Sequence, residues 1–311
     1  MSTDKAIGVL LWLICCISTG LAQTSLPHTT AAEARESITT LIQAHRLVEA
    51  LSLAESSLAE WQNDSAFPHL LGLIMFETGH VERAEQYIQS ALKLAPTDKE
   101  VLYDLGIVHL AMRRYEDAAH QFQTLIQSQP SNATNHILLG RALLNSNRSV
   151  GAIREFRTAL RLEPNIPLGH YHLGFALGSL GKLDEAISEL RLELRRDPKN
   201  PAVLSQLGHY LVESGEISAA IGYLQQAVST GATDAYYDLG KARLQNGDIK
   251  GSMEALQQAG SLAPAANVFF LLSRACRKGG DEPCAQVAMQ RYEALRAKEE
   301  STGGMATARI H

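Results

Sequence analysis

KEVLYDLGIVHLAMRRYEDAAHQFQTLIQSQPSN, residues 99–132, is followed without a break by ATNHILLGRALLNSNRSVGAIREFRTALRLEPNI, residues 133–166. Laid one over the other, the stretches share Leu105-Gly106 with Leu139-Gly140, Ala118 with Ala152, Phe122 with Phe156 and Pro130 with Pro164. Working outward, Leu71-Gly72, Leu173-Gly174 and Leu207-Gly208 keep the same period of 34 residues, and Leu239-Gly240 arrives slightly early. The small residue returns as Ala84, Ala186 and Ala220, the bulky one as Ile88, Leu190 and Leu224, and the closing proline as Pro96 and Pro198.

Two antiparallel helices approach closely only where one side chain is small. A glycine on the first helix and an alanine on the second therefore predict a helix-turn-helix unit, repeated along the chain. Gly79, Gly181, Gly215 and Gly247 fall between the two helices, where positive φ ends the first one cheaply. Proline after the second helix stops it, because it lacks a backbone donor and disfavours helix at the residue before it.

These residues resemble the tetratricopeptide repeat family, with small residues at the eighth and twentieth positions, a bulky one at the twenty-fourth and proline near the thirty-second. The resemblance implies an all-α solenoid, a right-handed superhelix of stacked repeats, framed at 65–98, 99–132, 133–166, 167–200, 201–232 and 233–265. Weaker repeats flank these at 31–64 and 266–297, as expected of ends that must face water. The family's early aromatic position holds Pro68, Leu102, His136, His170, Leu204 and Tyr236, which is expected to loosen the packing between helices.

In the family, the first helices line a concave groove. Carried over repeat by repeat, the fifth position gives His69, Tyr103, Ile137, Tyr171, Ser205, Tyr237 and Phe270. The ninth gives Leu73, Ile107, Arg141, Phe175, His209, Lys241 and Arg274. The resemblance thus implies a protein-binding groove built from Tyr103, Ile107, Arg141, Tyr171, Phe175, His209, Tyr237, Lys241, Phe270 and Arg274, aromatic in its middle and basic toward the C-terminal half. Such a strip suits an extended or helical peptide, with the cations meeting carboxylates. The competing reading packs Tyr103, Tyr171 and Tyr237 against the neighbouring repeat. The family's clamp for acidic chaperone tails needs Lys at the fifth and Asn at the ninth position of one repeat, and no repeat here has that pair.

The remaining composition bounds the function. With 311 residues, 45% hydrophobic and 20% charged, the chain is long and apolar enough for a large core. A net charge of −5 and the lack of a Lys/Arg run argue against nucleic acid as a partner. No phosphate loop, nucleophile elbow or Cys-His pair is present, so the chain is read as non-catalytic, without cofactor or metal. His170 and His172 are two apart on a helix and point to different faces. Glu189 and Glu193 read as solvated helix surface. The function expected is a scaffold or adaptor holding a partner protein or peptide. The alternative is an accessory assembly subunit of an envelope or glycosyltransferase-type complex whose catalytic part lies on another chain.

MSTDKAIGVLLWLICCISTGLAQTS places Lys5 before an apolar run and Gly20-Leu21-Ala22 ahead of Gln23. That order is expected of an export signal over 1–22, cleaved after Ala22, with a linker at 23–30. The alternative is an uncleaved membrane anchor, although the run is short for a spanning helix. Secretion or a periplasmic location would permit Cys276 and Cys284 to pair, the other reading being two small buried residues. Asn63, Asn132 and Asn147 match glycosylation acceptors in predicted turns, where Asn is common anyway. The tail at 298–311 lacks apolar periodicity and is expected to be flexible.

Overall fold

The structure is a computed structural model that describes residues 30–307, with side chains to residue 301. The expected export signal over 1–22 and the linker up to residue 29 lie outside the described residues. Among the described residues there are sixteen helices and no strand, and no helix is long and apolar enough to cross a membrane. The chain divides into two compact bodies, Met1–Arg114 and Tyr115–His311, each taken by itself below.

The first body holds α1 (Ala31–Gln43), α2 (Leu47–Glu60), α3 (Ala66–Glu77), α4 (Val81–Leu94) and α5 (Lys99–Ala111). Its centre is α3, whose Phe67, Leu71 and Ile74 are fully buried with Ile88 of α4. Gly72 makes room for this, since a Cβ there would collide with the Ile88 side chain. His69 and Asp104 bond at 2.7 Å and tie α3 to α5.

The second body holds α6 (Tyr115–Ser128), α7 (Ala133–Asn145), α8 (Ser149–Leu162), α9 (Gly169–Gly178), α10 (Leu183–Arg196), α11 (Pro201–Ser214), α12 (Ile217–Ser229), α13 (Ala235–Gln245), α14 (Ile249–Leu262), α15 (Ala266–Lys278) and α16 (Glu282–Thr307). A Cβ on Gly140 of α7 would stand 2.5 Å from the Phe156 ring of α8. Gly208 faces Leu224, and Gly240 faces Leu256, in the same way. These contacts are the physical content of the Leu-Gly repeat.

The turn inside each helix pair uses positive φ whether or not it carries glycine. Gly79, Gly181, Gly215, Gly247 and Gly280 adopt it at φ values of 79°, 71°, 87°, 86° and 77°. At the same register His45, Arg113 and Asn147 adopt it at 53°, 58° and 60°. The turn geometry therefore overrides residue preference, at a local cost of about 1 kcal/mol for each side chain held there.

Helix starts follow local capping chemistry. Asp98, Asn132 and Asn200 accept hydrogen bonds from the first backbone N–H groups of α5, α7 and α11. The repeat at 167–200 has no such residue, and Leu168 enters α9 at φ 59° without a side-chain cap. Its cap comes from the next helix. The Glu193 carboxylate of α10 accepts from Leu168 N–H and His170 N–H, each at 3.2 Å, and Arg196 lies 3.7 Å from it. Glu193 is only 3% exposed, which corrects the expectation of a solvated side chain.

The histidines at the early aromatic position also gain a structural account. His136 Nδ1 bonds Glu155 at 2.8 Å, and His170 Nδ1 bonds Glu189 at 2.6 Å. A polar link between paired helices thus replaces the missing aromatic contact in two successive repeats. Cys276 and Cys284 form a disulfide across the α15–α16 turn, with Cα atoms 5.8 Å apart. Closing a loop this short removes about 2.5 kcal/mol of chain entropy from the unfolded state. At the end of the array α16 continues to Thr307, so the described part of the 298–311 tail is helical. Arg296 and Glu300, one turn apart and bonded at 2.7 Å, support that extension.

Candidate functional site

The first helices of the second body, α7, α9, α11, α13 and α15, carry the residues expected to line a groove. Phe175 and Phe270 stand 39% and 42% exposed, unusual for phenylalanine. Arg141 and Arg274 are exposed, whereas Tyr171, His209, Tyr237 and Lys241 are half-buried. Ile137 and Ser205 are buried, and Ile137 leaves the stripe. Tyr171 groups with its own helix, its ring 5.5 Å from His172 and 6.4 Å from Phe175. Tyr237 instead packs on the terminal apolar cluster that includes Phe269 and Leu272 of α15, so for this tyrosine the competing reading describes the contact. Tyr103 and Ile107 lie half-buried on α5 and belong to the first body.

Two cavities open along the stripe. The first, about 490 Å³, is lined by Phe175, His209 and Tyr210 with Ser205, Gln206, Glu213, Asp234 and Asp238. Tyr210 donates to the Phe175 carbonyl at 3.3 Å, lying across Gly178, where any side chain would strike its ring. Burial pushes the Tyr210 phenol up to about 12. The second cavity, also about 490 Å³, is lined by Tyr237, Phe270, Lys241, Arg274 and Lys278 with Asn267. The structure therefore brings together Phe175 with His209, and Tyr237, Lys241, Phe270 and Arg274 with one another. It lines neither cavity with Arg141 or Tyr171.

The sequence reading missed the acidic side of this surface. Asp238 Oδ2 accepts from His209 Nδ1 at 2.9 Å, Glu213 lies 3.4 Å from His209 Nε2, and Ser205 donates to Asp234 at 2.9 Å. The bond to Asp238 is the main reason the His209 pKa is raised. Asp238 and Asp104 occupy the same register and both receive a histidine from the preceding first helix. The aspartate alone recurs in register and is a signal the sequence carried, since His69 stands at the fifth position and His209 at the ninth. The strip is thus divided into an acidic and a basic cavity on either side of α13.

His172 shows the opposite electrostatics. It stacks on Phe156 at 5.5 Å, and burial, reinforced by Arg141, lowers its pKa from 6.5 to about 4. A base held neutral in the fold contributes fully above the unfolded pKa and loses that contribution as pH falls toward the folded one. The second body is expected to lose about 2 kcal/mol through His172 between pH 7 and pH 5. His209 acts in the other direction, stabilising the fold at low pH and losing that effect as pH rises through its raised value. Urea unfolding of His172→Phe at both pH values checks the first effect, since the variant should lack the 2 kcal/mol fall. An unchanged pH dependence would show that His172 is not the group responsible.

Among the described residues no group of three His, Cys, Asp or Glu is placed to hold a metal ion.

No curated protein matches the chain significantly. Among solved structures, a tetratricopeptide repeat protein from Parabacteroides merdae superposes with a TM-score of 0.64 at 15% identity, covering 78% of this chain and 98% of its own. The APC/C hetero-tetramer Cut9-Hcn1 gives 0.61 at 18% identity over 88% of this chain and 55% of that one. MamA from Desulfovibrio magneticus RS-1 gives 0.52 at 23%, covering 56% and 99%. At these identities the likeness is one of fold. The tetratricopeptide repeat description matches residues 41–106, 103–165, 137–201 and 205–281, most of the chain, and the chain belongs to the tetratricopeptide repeat family.

Proposed function

We propose that the chain is a scaffold whose second body holds an extended or helical segment of a partner protein along its first-helix stripe. The family supplies the coarser statement: arrays of this repeat are protein-interaction scaffolds and generally non-catalytic. The observation that carries the finer one is the pair of neighbouring cavities, each about 490 Å³ and each holding an exposed phenylalanine. Exposed aromatics in pockets are the residues that most often anchor a bound segment. The order of charge suits a segment that presents a cation beside Glu213, Asp234 and Asp238, and a carboxylate beside Lys241, Arg274 and Lys278. First helices of adjacent repeats lie about 10 Å apart, about three residues of extended chain.

Affinity capture from native extract, compared with the variant Tyr171→Ala/Phe175→Ala/Phe270→Ala, tests this reading. A groove partner is expected to bind the variant at least about thirtyfold more weakly, as the loss of one anchor already costs about 2 kcal/mol. Partners retained equally by both proteins would move the interaction off the stripe.

The same proposal places the protein outside the reducing cytosol after export. The signal-like residues 1–22 and the paired Cys276 and Cys284 support this. Sequencing the N-terminus of the mature protein checks it: Gln23 as the first residue is expected, and an intact Met1 would leave the segment as an anchor.

A further inference from the structure

A second surface lies away from the stripe, on α8. A cleft of about 390 Å³ is lined there by aliphatic Val150, Ile153 and Leu180 and by the cations Arg154, Arg157, Arg161 and Lys182. Val150 is 73% exposed and Leu180 44%. Val150, Arg154, Arg157 and Arg161 are three or four residues apart, so they share one face of α8.

This face differs from those of the two repeats that flank it. The register position of Val150 holds Glu82, Glu116 and Asp184 in the repeats at 65–98, 99–132 and 167–200, whereas at 31–64 and 201–232 it holds Val48, itself 83% exposed, and Ser218. Each of those acids sits in the first turn of its helix, where the helix dipole favours negative charge. In α8 the first turn has no acid, and an exposed aliphatic side chain stands there instead. Arg154 likewise replaces Gln86, His120 and Ser188. What distinguishes α8 is the conjunction: exposed aliphatic side chains line a cleft together with four cations, a composition that suits a bound segment better than water.

Charge identifies the chemistry. Two carboxylates answer the four cations: Glu185 pairs with Arg157 at 3.2 Å and Lys182 at 2.9 Å, and Glu155 lies 3.4 Å from Arg154 while also holding His136. A positive surplus therefore remains, in a chain whose net charge is −5. The apolar side chains line a recess, which receives protruding side chains, whereas a membrane surface asks for side chains that protrude themselves. No aromatic lines the cleft to stack nucleobases.

We propose that the α8 cleft docks an acidic amphipathic helix of a partner protein, its aliphatic side chains against Val150, Ile153 and Leu180 and its carboxylates toward Arg154 and Arg161. This site is independent of the first-helix stripe. The test titrates a synthetic helical peptide, with leucines four residues apart flanked by glutamates, against the full chain by fluorescence anisotropy at low and moderate salt. Saturable, salt-sensitive binding is expected, weakened about tenfold or more by Val150→Glu and by Arg154→Ser/Arg161→Gln. These variants install residues found at the same register in other repeats, and circular dichroism reports that the fold is kept. Tyr171→Ala/Phe175→Ala/Phe270→Ala should bind the peptide unchanged, which separates this cleft from the stripe. Absence of binding, equal binding to the variants, equal binding of a peptide with lysines in place of glutamates, or preference for phosphatidylglycerol vesicles would each overturn the proposal.

Discussion

Replacing Phe156 with alanine is expected to lower the unfolding free energy of the second body by about 4 kcal/mol, within the range for removal of a buried aromatic ring. The ring is fully buried, faces the backbone of α7 at Gly140 and carries His172 stacked on its other partner helix α9. Its loss opens a cavity that two flanking helices, tied by their own caps and turns, are poorly placed to collapse. The partner substitution makes the test sharper. Gly140→Ala puts a Cβ 2.5, 2.7 and 2.9 Å from ring carbons of Phe156, and such overpacking costs about 1–3 kcal/mol. The added helix propensity returns about 1 kcal/mol. Gly140→Ala alone should therefore destabilise, yet in the Phe156→Ala background it should stabilise by about 1 kcal/mol, because only the propensity remains. Urea unfolding of the four proteins gives the coupling directly. Additive effects would mean that close approach of α7 and α8 is not why glycine stands at residue 140.

The second large effect is expected at Glu193. Its carboxylate is buried and satisfies two backbone donors at the start of α9, so Glu193→Ala leaves Leu168 N–H and His170 N–H without their acceptor. Losing the acceptor of two N–H groups at this partly exposed turn costs about 2 kcal/mol. Glu193→Gln keeps one accepting oxygen and should cost about half as much. Amide hydrogen exchange locates the loss, since protection should fall first at the N-terminal turn of α9 and leave α13 to α16 unchanged, as expected where each repeat contacts its neighbours. A cost under about 1 kcal/mol for Glu193→Ala would show that water caps the helix instead.

Glu193 also shows where sequence reasoning stops. Most repeats place a small residue at its register, Ala91, Ala159, Ala227 and Ala259 among them, and a glutamate on a helix reads as surface by default. Its burial follows from a defect elsewhere, the missing cap at Leu168, and only the folded chain puts defect and remedy side by side. The acidic cavity is similar. Asp234 and Asp238 stand at the cap and in the first turn of α13, whereas Phe175 lies on α9 and His209 on α11. Neither periodicity nor composition joins side chains from three helices. The half-buried tyrosines divide for the same reason: Tyr171 groups with His172 and Phe175, while Tyr237 is taken up by the terminal apolar cluster.

Repetition is what made the fold legible from sequence alone. A glycine and an alanine returning every 34 residues, with proline closing the second helix, are local steric requirements, and local requirements are written in the residues that meet them. They determined the helix pairs and the family, and they placed the stripe of first helices. The tertiary structure decided which stripe residues face a cavity, that an acidic and a basic pocket flank α13, and that Glu193 is a cap. It also decided that Val150 and Leu180 share a cleft with four cations. Each of these depends on side chains from different helices meeting in space, and the energy of such a meeting, through desolvation, hydrogen bonding or steric contact, belongs to the pair and not to either residue.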